Sequence, residues 1–133
     1  MENLFHMHYT QAQVNAVSNL GLAHIGDGVY ELMCRTYLCD KGDKTALHLH
    51  KDAVSLVNAT RQAAFAEKIL PHLTETEASF FRRGKNTHTH AAPKAASRQA
   101  YAKATGLETL FGALYLMGQT ERLNQLFLIM MEE

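Results

Sequence analysis

The chain has 133 residues, 47% apolar and 20% charged, enough for one domain with a proper hydrophobic core and too few for two. Thirteen Lys and Arg offset thirteen Asp and Glu, so bulk charge points neither to a polybasic binder nor to an acidic tail, and any electrostatic function must reside in its distribution. The longest unbroken aliphatic or aromatic run, Leu126 to Met131, falls well short of the about 20 residues of a membrane span; with no secretion-signal layout at the amino terminus and only two cysteines, Cys34 and Cys39, in no common metal or disulfide spacing, a cytoplasmic protein with reduced thiols is expected.

Only two prolines, Pro71 and Pro93, with abundant Ala and Leu, predict an all-α fold of about six to seven helices in a single domain over 1–133. A short helix is expected after Thr10. A longer one covers about Leu20 to Leu38, where Leu22, Ile25, Val29 and Met33 recur at helical spacing, and Asp40, Gly42 and Asp43 then make a turn. From Thr45 to Leu70 the apolar positions Leu49, Ala53, Leu56, Val57, Ala63 and Ala64 suit one long amphipathic helix stopped by Pro71. Thr74 and Glu77 form a T-x-x-E capping box for a helix through Phe80 and Phe81, which Gly84 is expected to end. A polar irregular stretch over 85–94 leads to a helix from about Ala96 to Met117 and a last one from Thr120 to Met131.

The neutral total conceals a separation of sign. The thirty residues between Glu77 and Glu108 contain no acid and six bases: Arg82, Arg83, Lys85, Lys94, Arg98 and Lys103. Such a segment is either a solvated loop with ordinary charges or a contact surface for a polyanion, with Arg82, Arg83 and Lys85 beside Gly84 and Asn86 as flexible donors for phosphate oxygens.

Two carboxylates stand out against apolar surroundings. Asp27 lies inside a predicted helix with Ala23 and Tyr30 on its face and with Gly26 and Gly28 flanking it, each glycine unfavourable by roughly 1 kcal/mol against Ala in a helix interior. That penalty makes sense where a backbone must come close to another helix or a ligand. Glu108 repeats the pattern beside Leu107 and Phe111, with Gly112 one turn on. Turned to one spot, the two acids would offer hard oxygen ligands for Mg²⁺, which keeps several waters and needs only one or two protein carboxylates; the alternative is a pair of partly buried acids capped by Arg or Lys. Glu31 is either a supporting residue for Asp27 or a surface acid. The three H-x-H pairs (His6 and His8, His48 and His50, His88 and His90) do not make a zinc site, because i and i+2 side chains on a helix diverge and the other two pairs fall in a tail and a loop. His88 and His90 would add charge to the basic loop at mildly acidic pH.

Gly26-Asp27-Gly28-Val29-Tyr30-Glu31 resembles the Gly-Asp-Ala-Val signature of the ribonuclease III family, with Gly28 where Ala is usual, and the continuation Tyr30-Glu31 is that of the short Mini-ribonuclease III branch. The segment Tyr101-x-Lys103-Ala104-Thr105-Gly106-Leu107-Glu108-Thr109-Leu110-Phe111-Gly112 is similar to a second motif of that branch. Leu49-His50-Lys51, Arg82-Arg83-Gly84-Lys85-Asn86 and Pro93-Lys94 match in between, so the likeness runs from about Gln11 to Leu126. Full-length members carry Glu where this chain has Ala23 and Leu20, and Asp where it has Thr105, so metal ligation here is sparser. With no double-stranded-RNA-binding domain read in these 133 residues, the catalytic body itself is expected to grip the substrate.

The resemblance implies an all-helical homodimer that cleaves double-stranded RNA with Mg²⁺ and trims the ends of the large-subunit (23S) ribosomal RNA precursor, with a ribosomal protein on that precursor as a possible further partner. It assigns Asp27 and Glu108 to metal binding and catalysis. Phosphate contacts are assigned to Arg82, Arg83, Lys85, Asn86 and Lys94, with His50 and Lys51 as secondary candidates. Ile25, Val29 and Met33 serve either the dimer surface or the core. A dimer that has lost its chemistry and only holds structured RNA is the competing expectation.

Overall fold

The structure, a computed structural model, describes residues 3–42, 45–87 and 97–132. Among them the chain forms α1 (Gln11–Asn15), α2 (Asn19–Asp40), α3 (Ala46–Val57), α4 (Ala59–Ile69), a 3₁₀ turn (Leu70–His72), α5 (Glu75–Lys85), α6 (Arg98–Leu116) and α7 (Thr120–Met131), and no strand. The expected all-helical architecture is observed, and no helix among the described residues is long and apolar enough to cross a membrane.

Helix starts are written in capping residues. Thr10, Ser18, Thr45, Asn58, Thr74 and Ser97 each accept a backbone N–H three residues on, opening α1 to α6 in turn, and each such cap stabilises by about 1 kcal/mol. Asn58 corrects the expected single helix from Thr45 to Leu70. Its backbone is extended (φ −72°, ψ 154°) and its side-chain oxygen accepts from Arg61 N at 2.9 Å, so α3 ends and α4 begins there. A second correction concerns Gly84, which lies inside α5 and not at its end: it is buried, and a Cβ on it would collide with Thr109 and the Thr105 carbonyl of α6. Asn86 caps the helix instead. The start expected near Ala96 lies at Arg98; Asp43 and 88–96 lie outside the described residues.

Helix α6 is the axis of the molecule. It packs against α2, α5 and α4, and from Ala104 to Leu114 every residue except Glu108 is buried. Tyr30 of α2 sets its ring edge-on to Phe111 at 5.9 Å and donates its hydroxyl to the Leu56 carbonyl at 2.7 Å, tying α2, α3 and α6 together. Below the axis, Glu77 links α5 to α7 through two hydrogen bonds from Arg122, at 2.8 and 2.9 Å. Burial pushes the Glu77 carboxyl up, but Arg122 and the Thr74 amide outweigh it and hold the group below the usual carboxylate range. After α6 the chain turns through Gly118 in the left-handed region (φ 74°), and Gln119 N–H returns to the Leu114 carbonyl, the six-to-one closure that favours glycine.

Candidate active site

Where α2 crosses α6, glycine faces glycine. A Cβ added to Gly26 would fall on the Glu108 carbonyl, and one added to Gly112 on the Leu22 carbonyl, so the two backbones approach as only bare glycines allow. The crossing fixes the residues beside it: Asp27, next to Gly26, and Glu108, whose own carbonyl lies at the seam, come within hydrogen-bonding reach of each other. The sequence reading considers these two acids turned to one spot, and in the structure they are neighbours across the seam. Their surroundings differ from the expectation: Asp27 is exposed at the rim, although its neighbours Ala23 and Tyr30 are buried, whereas Glu108 is half-buried. Burial, then the charge and contact of Asp27, push the Glu108 carboxyl up to about 8, against a smaller opposing pull from Gln62.

Two carboxylates held together against their own repulsion are relieved by a proton or by a divalent cation. Their hard oxygens suit Mg²⁺, with water and substrate phosphates completing the shell. Among the described residues no group of three or more His, Cys, Asp or Glu is placed to hold a metal, so these two are the acids available on the protein side of such a site. Glu31 points elsewhere, pairing with Arg35 at 3.3 Å.

The expected phosphate-binding residues fall into two groups. At the start of α2, Arg83 is anchored by Asn19 Oδ1 at 2.8 Å, the Val17 carbonyl at 3.2 Å and Asn15 Oδ1 at 3.4 Å. Arg82 pairs with Glu75 at 2.8 Å, and Lys85 and Asn86 are exposed at the end of the same helix. Near the other end of α2, His50 lines a cleft with Arg35, Leu38 and Cys39, and Lys51 is exposed beside it. Asn19 and Arg35 are sixteen residues apart on one helix, roughly 24 Å at 1.5 Å per residue, and Asp27 lies midway. Lys94, His88 and His90 lie outside the described residues.

Two features escaped the sequence reading. Gln62, 3% exposed, reaches from α4 to donate its amide to Glu108 Oε2 at 3.4 Å. Its signal was a polar residue in the stripe Gln62, Phe65, Ala66 and Ile69, all buried and spaced as one helix face. The Asn15 and Asn19 anchors of Arg83 left no comparable trace, since both read as ordinary helix-end residues.

A ribonuclease III domain family model matches residues 20–119. A mini-ribonuclease 3 from Clostridium tetani is 40% identical over 119 residues, covering 89% of this chain and 79% of that protein. One from Symbiobacterium thermophilum is 45% identical, covering 80% and 82%. A crystal structure of a Fusobacterium nucleatum protein superposes with a TM-score of 0.78 at 33% identity, covering 84% of this chain and 86% of that one. The helical fold thus has its counterpart in a known structure, and the chain belongs to the ribonuclease III domain family of endoribonucleases. Within that family its relatives place it in the mini-ribonuclease 3 group.

Proposed function

We propose that the chain uses Asp27 and Glu108 to hold Mg²⁺ and cleaves double-stranded RNA as a cytoplasmic homodimer with one catalytic domain per chain, maturing the ends of the large-subunit (23S) ribosomal RNA precursor. The observation that carries this reading is the meeting of Asp27 and Glu108 across the glycine seam of α2 and α6. When bound, Mg²⁺ supplies activation of water and neutralisation of charge developing on the phosphate. The chain's own groups do the rest: the seam sets the distance between the acids, and Glu108 gives up its proton so that both carboxylates are charged toward the cation. Arg82, Lys85 and Asn86 on one side, with His50 and Lys51 on the other, meet phosphates of a duplex lying along α2, its A-form shape and not its sequence being read. Arg83 holds the α1–α2 corner and keeps two of its five N–H donors for phosphate.

A duplex requires one cut per strand, which a two-fold dimer provides. An apolar groove of about 470 Å³ beside the acid, lined by Phe5, Ile25, Val29, Leu32, Met33 and Leu123, supports a second copy as its occupant. Both partners of a two-fold would present the same face, and Phe5 and Leu32 are 72% and 55% exposed, an apolar surface that calls for cover.

The test is cleavage and binding of an end-labelled RNA duplex by wild type and Asp27→Asn, with Mg²⁺ and with EDTA. Wild type is expected to cut only with Mg²⁺, and Asp27→Asn to bind the duplex with wild-type affinity in EDTA without cutting it. Wild type that binds but does not cut with any divalent metal, on precursor ribosomal RNA included, would instead be an RNA-holding dimer.

A further inference from the structure

We propose that Gln62 is a positioning residue, a buried amide clamp from α4 that fixes the Glu108 carboxylate toward Asp27. The inference rests on the reading of Asp27 and Glu108 as the cation site and assigns that site a third helix.

The geometry begins with the register of α4 on α6. Lys103 of α6 pairs with Glu67 of α4 at 2.5 Å, and Gln62 of α4 donates to Glu108 of α6 at 3.4 Å. Five residues separate the two contacts on either helix, in opposite directions, as two rungs between antiparallel helices roughly 7.5 Å apart along the axis. The ion pair and the hydrogen bond therefore belong to one register, which puts Gln62 opposite Glu108. The break at Asn58 is the other half of the device, because it lets α4 start afresh, four residues before Gln62, at an angle α3 does not dictate. Phe65, Ala66 and Ile69 then bury the same face of α4 and hold it down.

A glutamate has three side-chain torsions, and its neighbour Asp27 repels it when both are charged, so an ionised Glu108 left to itself would swing away. A buried amide donor opposes that swing, and its hydrogen bond strengthens as the carboxylate becomes charged. Gln62 is almost wholly buried, so exposure to solvent gives little reason for an amide there. Its role resembles that of the outer partners of metal ligands, whose removal weakens metal affinity about 10- to 100-fold.

The experiment measures Mg²⁺ binding by calorimetry on RNA-free wild type and Gln62→Met, a change that keeps length and volume and removes the donor. Duplex affinity in EDTA serves as the control. The expected result is Mg²⁺ binding weaker by about tenfold or more in Gln62→Met, with duplex affinity unchanged and cleavage restored at higher Mg²⁺. A folded Gln62→Met with wild-type Mg²⁺ affinity overturns the clamp. Should that variant fail to fold, the side-chain amide ¹⁵N resonance of Gln62 decides in wild type and Glu108→Gln: it is expected to move on addition of Mg²⁺ to wild type and on the substitution, and a resonance that responds to neither overturns the proposal. A resonance that differs between wild type and Glu108→Gln, when wild type binds no Mg²⁺, supports the clamp and overturns the cation reading, so the two failures are told apart.

Discussion

Of the two paired carboxylates Glu108 bears the penalty, since burial and the adjacent Asp27 raise its pKa to about 8, while the unfolded chain releases the same proton near 4.5. Between those values the folded state binds more protons than the unfolded one, so this residue makes the cation-free protein less stable as pH rises, with no further loss above the folded value. Glu108→Gln removes the charge and keeps the shape. Thermal melts in EDTA should show the variant more stable than wild type, the gap widening from pH 5 to pH 8 and reaching about 3 °C or more, roughly 1 kcal/mol for a domain of this size. Equal melting temperatures across that range would sink the argument. Asp27 and Glu108 were legible in the sequence because each interrupts an apolar stripe beside glycine. Gln62 was harder to read, as its meaning depends on which residue of another helix lies opposite, and no local pattern encodes that.

At the scale of elements, the two glycines flanking Asp27 looked alike and are not. Gly26 is pressed against the backbone of α6, whereas a Cβ on Gly28 would meet nothing within 4 Å. Gly28→Ala should therefore stabilise α2 by about 1 kcal/mol in urea denaturation. Gly26→Ala should destabilise by about 1 to 3 kcal/mol through overpacking and abolish cleavage even where the protein stays folded, because the helices that align the acids are forced apart. Equal effects of the two substitutions would mean that the seam does not hold the site. The same contrast explains what the sequence misplaced. Gly84 resembles a helix terminator by type, but it is small so that Thr109 can approach. Asn58 resembles an interior residue because apolar positions continue on both sides of it, and only its bond to Arg61 N reveals a helix start. Where local chemistry decided, as in the Thr74 and Glu77 capping box, element and boundary were both readable.

For the whole molecule, the groove beside α2 is the feature composition could not reveal, since Ile25, Val29 and Met33 carry the same helical spacing whether they face a core or a second copy. They are half-buried at the groove, while Leu22 of the same helix is fully buried. On the dimer reading, Leu32→Glu should convert wild-type dimers to monomers in sedimentation equilibrium and make the protein melt independently of its concentration. A monomeric wild type at micromolar concentration would remove the second copy from the proposal.

The glycine seam joins residues more than eighty positions apart in the chain. While α2 emerges from the ribosome, Asp27 belongs to a helix with nothing across from it, and Glu108 has yet to be made. Synthesis runs from the amino terminus and early segments can fold first, but no early segment of this chain contains both acids. On the proposed function, the enzyme is latent for as long as it is nascent: it gains the ability to cut structured RNA only after α6 has been made and has docked, by which time most of the chain has left a machine built of the very polymer it cleaves.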